Sequence, residues 1–120
     1  MVKIEKVSWG KVKINGQVYH QVLIIGEKVL ARDENKLKVL FGTTHKIGDW
    51  EQKALLSNSP EIILITSGWN GVLKVSETFK NKIGKKRIEL KIVLTPKVME
   101  EYQQLINQGK KVNCLIHTTC

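Results

Sequence analysis

The sequence predicts an α/β fold, one domain in which helices cover a sheet. Three observations carry that expectation. Ile62 to Ile65 is a run of aliphatics too short for a helix, bounded by Pro60 and by Ser67-Gly68, as in a strand buried on both faces. From residue 49 onward, helical and strand patterns alternate with short connections, which argues for right-handed crossovers and a sheet under helices. The first third carries short alternating runs separated by turn signals, the pattern of a β-meander with one solvated face.

The elements follow in order. Lys11 to Ile14 alternates, Asn15-Gly16 is the strongest short hairpin signal, and Gln17 to Ile25 reads as the returning strand. Gly26-Glu27 turns the chain into Val29–Ala31. After the polar break at Arg32–Lys36, Leu37 to Phe41 reads as another strand. Gly42–Gly48 is a loop, and Asp49 is placed to cap a helix from Trp50 to about Asn58. The buried strand Ile62–Thr66 leads into the loop Ser67–Gly71 and a short extended piece, Val72–Val75. Ser76 caps a helix from Glu77 to about Ile83, with Gly84 at its C′ position. Ile88 to Leu94 reads as a strand with Ile88, Leu90, Ile92 and Leu94 on one face. Thr95-Pro96 reads as an N-cap with proline at the first helical position. Val98, Tyr102, Leu105 and Ile106 stripe the helix that follows, Gly109 ends it, and Val112 to His117 is the last strand. Trp9 and Trp50 are expected to pack inward.

Composition narrows the function classes. A chain of 120 residues with 42% hydrophobic and 26% charged residues is an ordinary globular domain. It is large enough to bury roughly two-thirds of its unfolded surface. No apolar run approaches the roughly 20 residues that cross a bilayer, and Met1-Val2-Lys3-Ile4-Glu5 alternates as structure rather than as a signal peptide. Cys114 and Cys120 lie about 20 Å apart along an extended chain, beyond disulfide reach. Reduced thiols and a cytoplasmic location are expected. The net charge of +9 raises nucleic acid as a partner. Its densest cluster, Lys80, Lys82, Lys85, Lys86, Arg87 and Lys91, has no interleaved aromatics for base stacking, and it reads first as a solvated helix end.

If the late strands run parallel, their carboxyl ends share one edge, where open α/β sheets place ligands. Thr43, His45, Ser67, Gly68, Asn70, Gly71, Thr95, His117, Thr119 and Cys120 would line that crevice. Helix amino-termini near Asp49 and Thr95 would favour a small anionic ligand there. The opposing reading is a set of capping hydroxyls and turn glycines. A thiol–histidine pair from Cys120 and His117 lacks a third group to orient it. Metal binding by Cys114, His117 and Cys120 lacks a paired Cys-x-x-Cys. No cofactor motif is present, since Gly68-Trp69-Asn70-Gly71 lacks the dinucleotide fingerprint's third glycine and following helix. Trp69, on a loop tip, is either folded back or a contact for a protein partner.

Several segments form an ordered set: Ser8-Trp9-Gly10, Gly42-Thr43-Thr44-His45, the strand and loop of Ile62–Gly71, Thr95 with Tyr102, Gln108 to Val112, and the close His117-Thr118-Thr119-Cys120. With this set, residues 4 to 120 resemble the small Mth-type domain-of-unknown-function family, which includes adipogenesis-associated proteins and mitochondrial complex I assembly factor three. The adipogenesis-associated branch looks closest. The resemblance implies a three-layer domain with a central mixed sheet and an appended β-meander, and a non-enzymatic interaction or assembly module. The family's bacterial branch carries Gly-Thr-Gly where this chain has Gly68-Trp69-Asn70-Gly71. A monomer or a homodimer is compatible with edge strands in the meander.

Overall fold

A computed structural model describes residues 2–120. Strands β1 (Ile4–Ser8), β2 (Lys11–Ile14) and β3 (Gln17–Tyr19) form a three-stranded antiparallel sheet. Strands β4 (Val22–Ile25), β5 (Lys28–Ala31), β6 (Ile62–Thr66), β7 (Glu89–Val93) and β8 (Val112–Ile116) form a second sheet in the order β5-β4-β8-β6-β7. Its last three strands run parallel, as the sequence reading assumed, while β4 is antiparallel to both β8 and β5. The sheet is therefore mixed.

Strand periodicity sorts the core into two layers. Val22, Ile24, Ile62, Leu64, Cys114 and Ile116 face one side, against Val98, Tyr102 and Leu105 of helix α4 (Val98–Asn107) and the inner residues of the small sheet. Leu23, Ile25, Ile63, Ile65 and Leu115 face the other side. There they meet Leu55 of helix α2 (Asp49–Leu55) and Phe79 and Ile83 of helix α3 (Glu77–Lys85). Every residue of β4, β6 and β8 is buried, which is why the sequence shows near-continuous aliphatics there.

Several expectations are corrected. Leu37–Phe41 is no strand: Glu34–Phe41 is helix α1, with the Asp33 side chain accepting from the Lys36 N–H and Gly42 closing the end in the left-handed region. The cap pair outweighs the β-favouring side chains because only Leu37 is buried, so no sheet face competes for them. Gln17–Ile25 breaks at His20-Gln21, where the chain passes from the small sheet to the large one. The N-cap of α2 is Gly48 rather than Asp49, and the position admits no side chain, since the Trp50 ring lies where a Gly48 Cβ would stand. That helix stops at Leu55. Gly84 lies inside α3, which needs no glycine to end. Thr95 begins a 3-10 turn, Thr95–Lys97, and does not cap α4. Ile88 and Leu90 pack on the core, but Ile92 and Leu94 are exposed, since α3 leaves this end of edge strand β7 uncovered. Trp9 is 54% exposed rather than packed inward. Trp50 is half-buried with the Lys36 ammonium 4.2 Å from its ring centroid.

Candidate functional site

The carboxyl edge of β6, β7 and β8 gathers most of the residues singled out from sequence. Thr66 ends β6 and clamps His117: its hydroxyl accepts from the His117 N–H at 2.8 Å and donates to the His117 carbonyl at 3.3 Å. The Thr95 hydroxyl, arriving after β7, donates to the same carbonyl. Three strand ends are thus tied at one residue. The buried Ser67 hydroxyl donates to Val93 O at 3.4 Å.

The crevice expected here is filled by the chain itself. The loop 67–73 clasps residues 119–120: the amide of Trp69 donates to Thr119 O at 2.8 Å, and those of Asn70 and Val72 donate to Cys120 O at 3.3 and 3.0 Å. Gly68 (φ +103°) leaves no room for a Cβ against the Cys120 and Thr119 backbone. Amides that might have met an anion are therefore spent on internal carbonyls. Trp69 is half-buried, its indole N–H enclosed without a hydrogen-bond partner among the described residues. Asn70 is exposed, Gly71 is left-handed (φ +72°), and the half-buried Thr43 hydroxyl accepts from the His45 N–H.

Behind the clasp is a buried polar network that the sequence did not disclose. Arg32 and Glu51 form an ion pair with both side chains 0% exposed. Arg32 Nε and Nη2 donate to the two carboxylate oxygens at 2.7 and 2.8 Å. The remaining guanidinium hydrogens reach Gln21 Oε1 at 2.7 Å, Thr44 O at 3.1 Å and Lys46 O at 2.9 Å. Glu51 Oε1 also accepts from the Gly48 N–H at 3.0 Å, the half of a capping box that the N3 side chain supplies. The pair therefore fixes the 44–48 loop to the sheet edge. The Glu51 carboxylate itself occupies this helix end.

The same network sets the state of His117. Gln21 Oε1, held by Arg32, lies 2.8 Å from His117 Nδ1. An amide oxygen only accepts, so Nδ1 carries the proton and Nε2 presents its lone pair toward the Thr119 hydroxyl at 3.4 Å. Burial, with the Arg32 charge and the neighbouring His45 and His20, pushes the His117 pKa down to about 4. At neutral pH the ring is therefore uncharged. His45 stands edge-on to it, ring centroids 5.2 Å apart. The arrangement orients and locks; its polar groups are turned on one another. Cys114 and Cys120 are free thiols, and burial raises the Cys114 pKa. Neither cysteine joins His117 in a cluster of three or more metal-ligating side chains among the described residues.

The signals for this network were present but ambiguous. Glu51, three residues past Gly48, is the capping-box position, whereas Arg32 reads as part of a polar break and only tertiary structure brings it to Glu51. In the basic cluster, Lys80 pairs with Glu77 and Lys91 with Glu101, while Lys82, Lys85, Lys86 and Arg87 are exposed around the end of α3.

A cavity lies at the opposite edge, where β6 and β8 begin. About 660 Å³ is bordered, open to solvent on one side, by the β4–β5 turn, the α2–β6 connection, the end of α4 and Gly109–Asn113.

Fold and edge geometry define a small mixed α/β domain with a meander sheet packed on one face and a self-clasped carboxyl edge. Residues 4–117 match the family described as protein of unknown function (DUF498/DUF598), and the chain belongs to that family. Among solved structures it is similar to a conserved hypothetical protein of Pyrococcus horikoshii OT3, at 26% identity and TM-score 0.79, covering 98% of this chain and 99% of that one. It is also similar to MT938, at 24% identity and TM-score 0.78 over the whole of both chains. A Mth938-like domain protein of Bordetella pertussis aligns with TM-score 0.66 at 11% identity over 98% of this chain and 85% of that one; at that identity only the fold is shared. No helix among the described residues is long and apolar enough to cross a membrane.

Proposed function

We propose that this protein is a non-enzymatic interaction module that docks an acidic protein partner on the apolar end of α1. The supporting observation is the run Val39, Leu40 and Phe41, which is 85%, 58% and 38% exposed on a helix whose one buried side chain is Leu37. Helices shorter than about 12 residues are marginal alone, and three apolar side chains fanned around the end of a helix so weakly anchored give a partner apolar area to cover. Lys38 stands on the same helix, and the Lys46 ammonium lies 5.7 Å from the Phe41 ring centroid. These lysines and the net charge of +9 favour an acidic partner over a second copy of the chain. The free thiols support a reducing compartment such as the cytoplasm.

The test is affinity capture on the full chain, with each retained protein identified, purified and titrated back by calorimetry. A stoichiometric complex is expected, weakened at raised salt and lost in Leu40→Asp but kept in Val18→Ser, a change at an equally exposed site on the small sheet. Equal binding by wild type and Leu40→Asp overturns the reading, as does sedimentation showing that α1 instead joins two copies of the chain.

A further inference from the structure

The cavity at the amino edge carries a second, independent reading. Its walls are built rather than incidental. Asn113 is buried in the central strand β8 among aliphatic neighbours, a position that costs stability unless every polar atom is satisfied. Its amide accepts from the Gly26 N–H at 3.0 Å and donates to Leu55 O and Ser57 O at 2.8 Å each. One side chain thus holds the β4–β5 turn and the α2–β6 connection at fixed separation. The floor is locked as well: the Glu61 carboxylate accepts from the Lys111 N–H at 3.0 Å, while Lys111 O accepts from the Glu61 and Ile62 amides.

Two strained residues stand at this rim. Asn58 (φ +62°) and Ser59 (φ +49°) are consecutive left-handed residues, and Gly26 and Gly109 are left-handed too; all four line the cavity. Left-handed backbone at a residue with a side chain is unfavourable and concentrates where a site demands it.

The lining chemistry is divided. Val2, Ile106 and Val112 supply an apolar floor. Tyr102 joins them, its hydroxyl kept protonated by burial and by nearby Cys114 and Glu27. Lys110 and Lys111 are exposed at the mouth, and neither has an ion pair among the described residues. Asn58 and Ser59 add polar side chains, and Glu27 is the one acidic group in the lining. A volume of about 660 Å³ falls in the size range of small-molecule sites, which likewise combine an apolar lining with a few convergent polar groups.

We propose that this cleft binds a small organic anion, its apolar body on the Val2–Ile106–Val112 floor and its carboxylate, phosphate or sulfonate between Lys110 and Lys111. Carboxylate and phosphate share this chemistry, and the lysine pair selects charge rather than geometry.

The probe is 8-anilinonaphthalene-1-sulfonate titrated into the full chain, followed by fluorescence and by amide shifts in two-dimensional NMR. Saturable shifts are expected at Gly26, Asn58, Gly109 and Val112. The dissociation constant should rise about tenfold in Lys110→Ala/Lys111→Ala, as charge-assisted contacts are worth, and stay unchanged in Lys85→Ala/Lys86→Ala. Uncharged 1-anilinonaphthalene should bind correspondingly less tightly. Both lysines are exposed, so their removal leaves the fold intact. Ile106→Trp, which fills the cleft, should abolish the shifts. Shifts centred on Val39–Phe41, a non-saturating titration, or equal affinity in the lysine double variant would each overturn the proposal. Inorganic phosphate and acetate, titrated separately, rank the two anion classes.

Discussion

The two edges of the five-stranded sheet are built from the same strands and have opposite characters. At the carboxyl edge, charged and polar groups are numerous but turned inward: Arg32 on Glu51, Thr66 and Thr95 on His117, and the loop 67–73 on residues 119–120. At the amino edge, one buried asparagine props open a cleft with two exposed lysines at its mouth. Strand direction alone would have assigned the ligand to the first edge. What decides is whether the chain spends its own backbone groups there.

The largest expected difference between the edges comes from the buried ion pair. Arg32→Ala leaves a carboxylate with both neighbours and solvent removed, and should lower unfolding free energy by about 3–5 kcal/mol in urea titration. A loss below about 1 kcal/mol, the size of a surface pair, would mean that this edge is far wetter than its geometry. Gly68→Ala and Gly109→Ala sharpen the contrast. Both glycines are left-handed, but an added Cβ strikes the 119–120 backbone at Gly68 and meets nothing within 4 Å at Gly109. Strain alone costs roughly 1–2 kcal/mol, so Gly109→Ala should lose about that and Gly68→Ala clearly more, with the excess measuring the clasp. Equal losses would show that residues 119–120 yield freely.

The smallest effect is the pH dependence at His117. Its folded pKa of about 4 lies below the ordinary 6.5, so the unfolded chain takes up the proton first as pH falls. Stability from this group is complete above pH 6.5, declines between 6.5 and 4, and levels off below. Allowing for screening, the loss by about pH 5 is on the order of 1 kcal/mol. His117→Gln should flatten that limb of the urea midpoint against pH; an unaltered limb would assign the slope to other groups.

The legibility of the sequence follows the range of the forces involved. Ile62–Thr66 was readable to the residue because double-sided burial leaves a purely local trace, and Ser76 marked the start of α3 for the same reason. Leu37–Phe41 misled because its side chains favour strands, although Asp33 and Gly42 bracketed a helix. The carboxyl-edge residues follow from strand direction, yet nothing local shows that residues 119–120 fold back among them. Arg32 and Glu51 meet only in three dimensions. Asn113 was the available clue to the other edge: a lone amide inside an aliphatic strand needs partners, and finding them discloses the cleft.

Strand β8 also sets the order in which this molecule can be completed. It lies between β4 and β6, pairing Val22 with Ile116 and Leu64 with Cys114, and the β4–β5 hairpin and the β6–β7 pair are joined in the sheet only through it. During synthesis, two half-sheets with aliphatic edges must wait for a segment made after both. Such long-range closure is slow, and the waiting edges are open to pairing with other chains. Nascent-chain handling, rather than the finished fold, is where this architecture is most vulnerable.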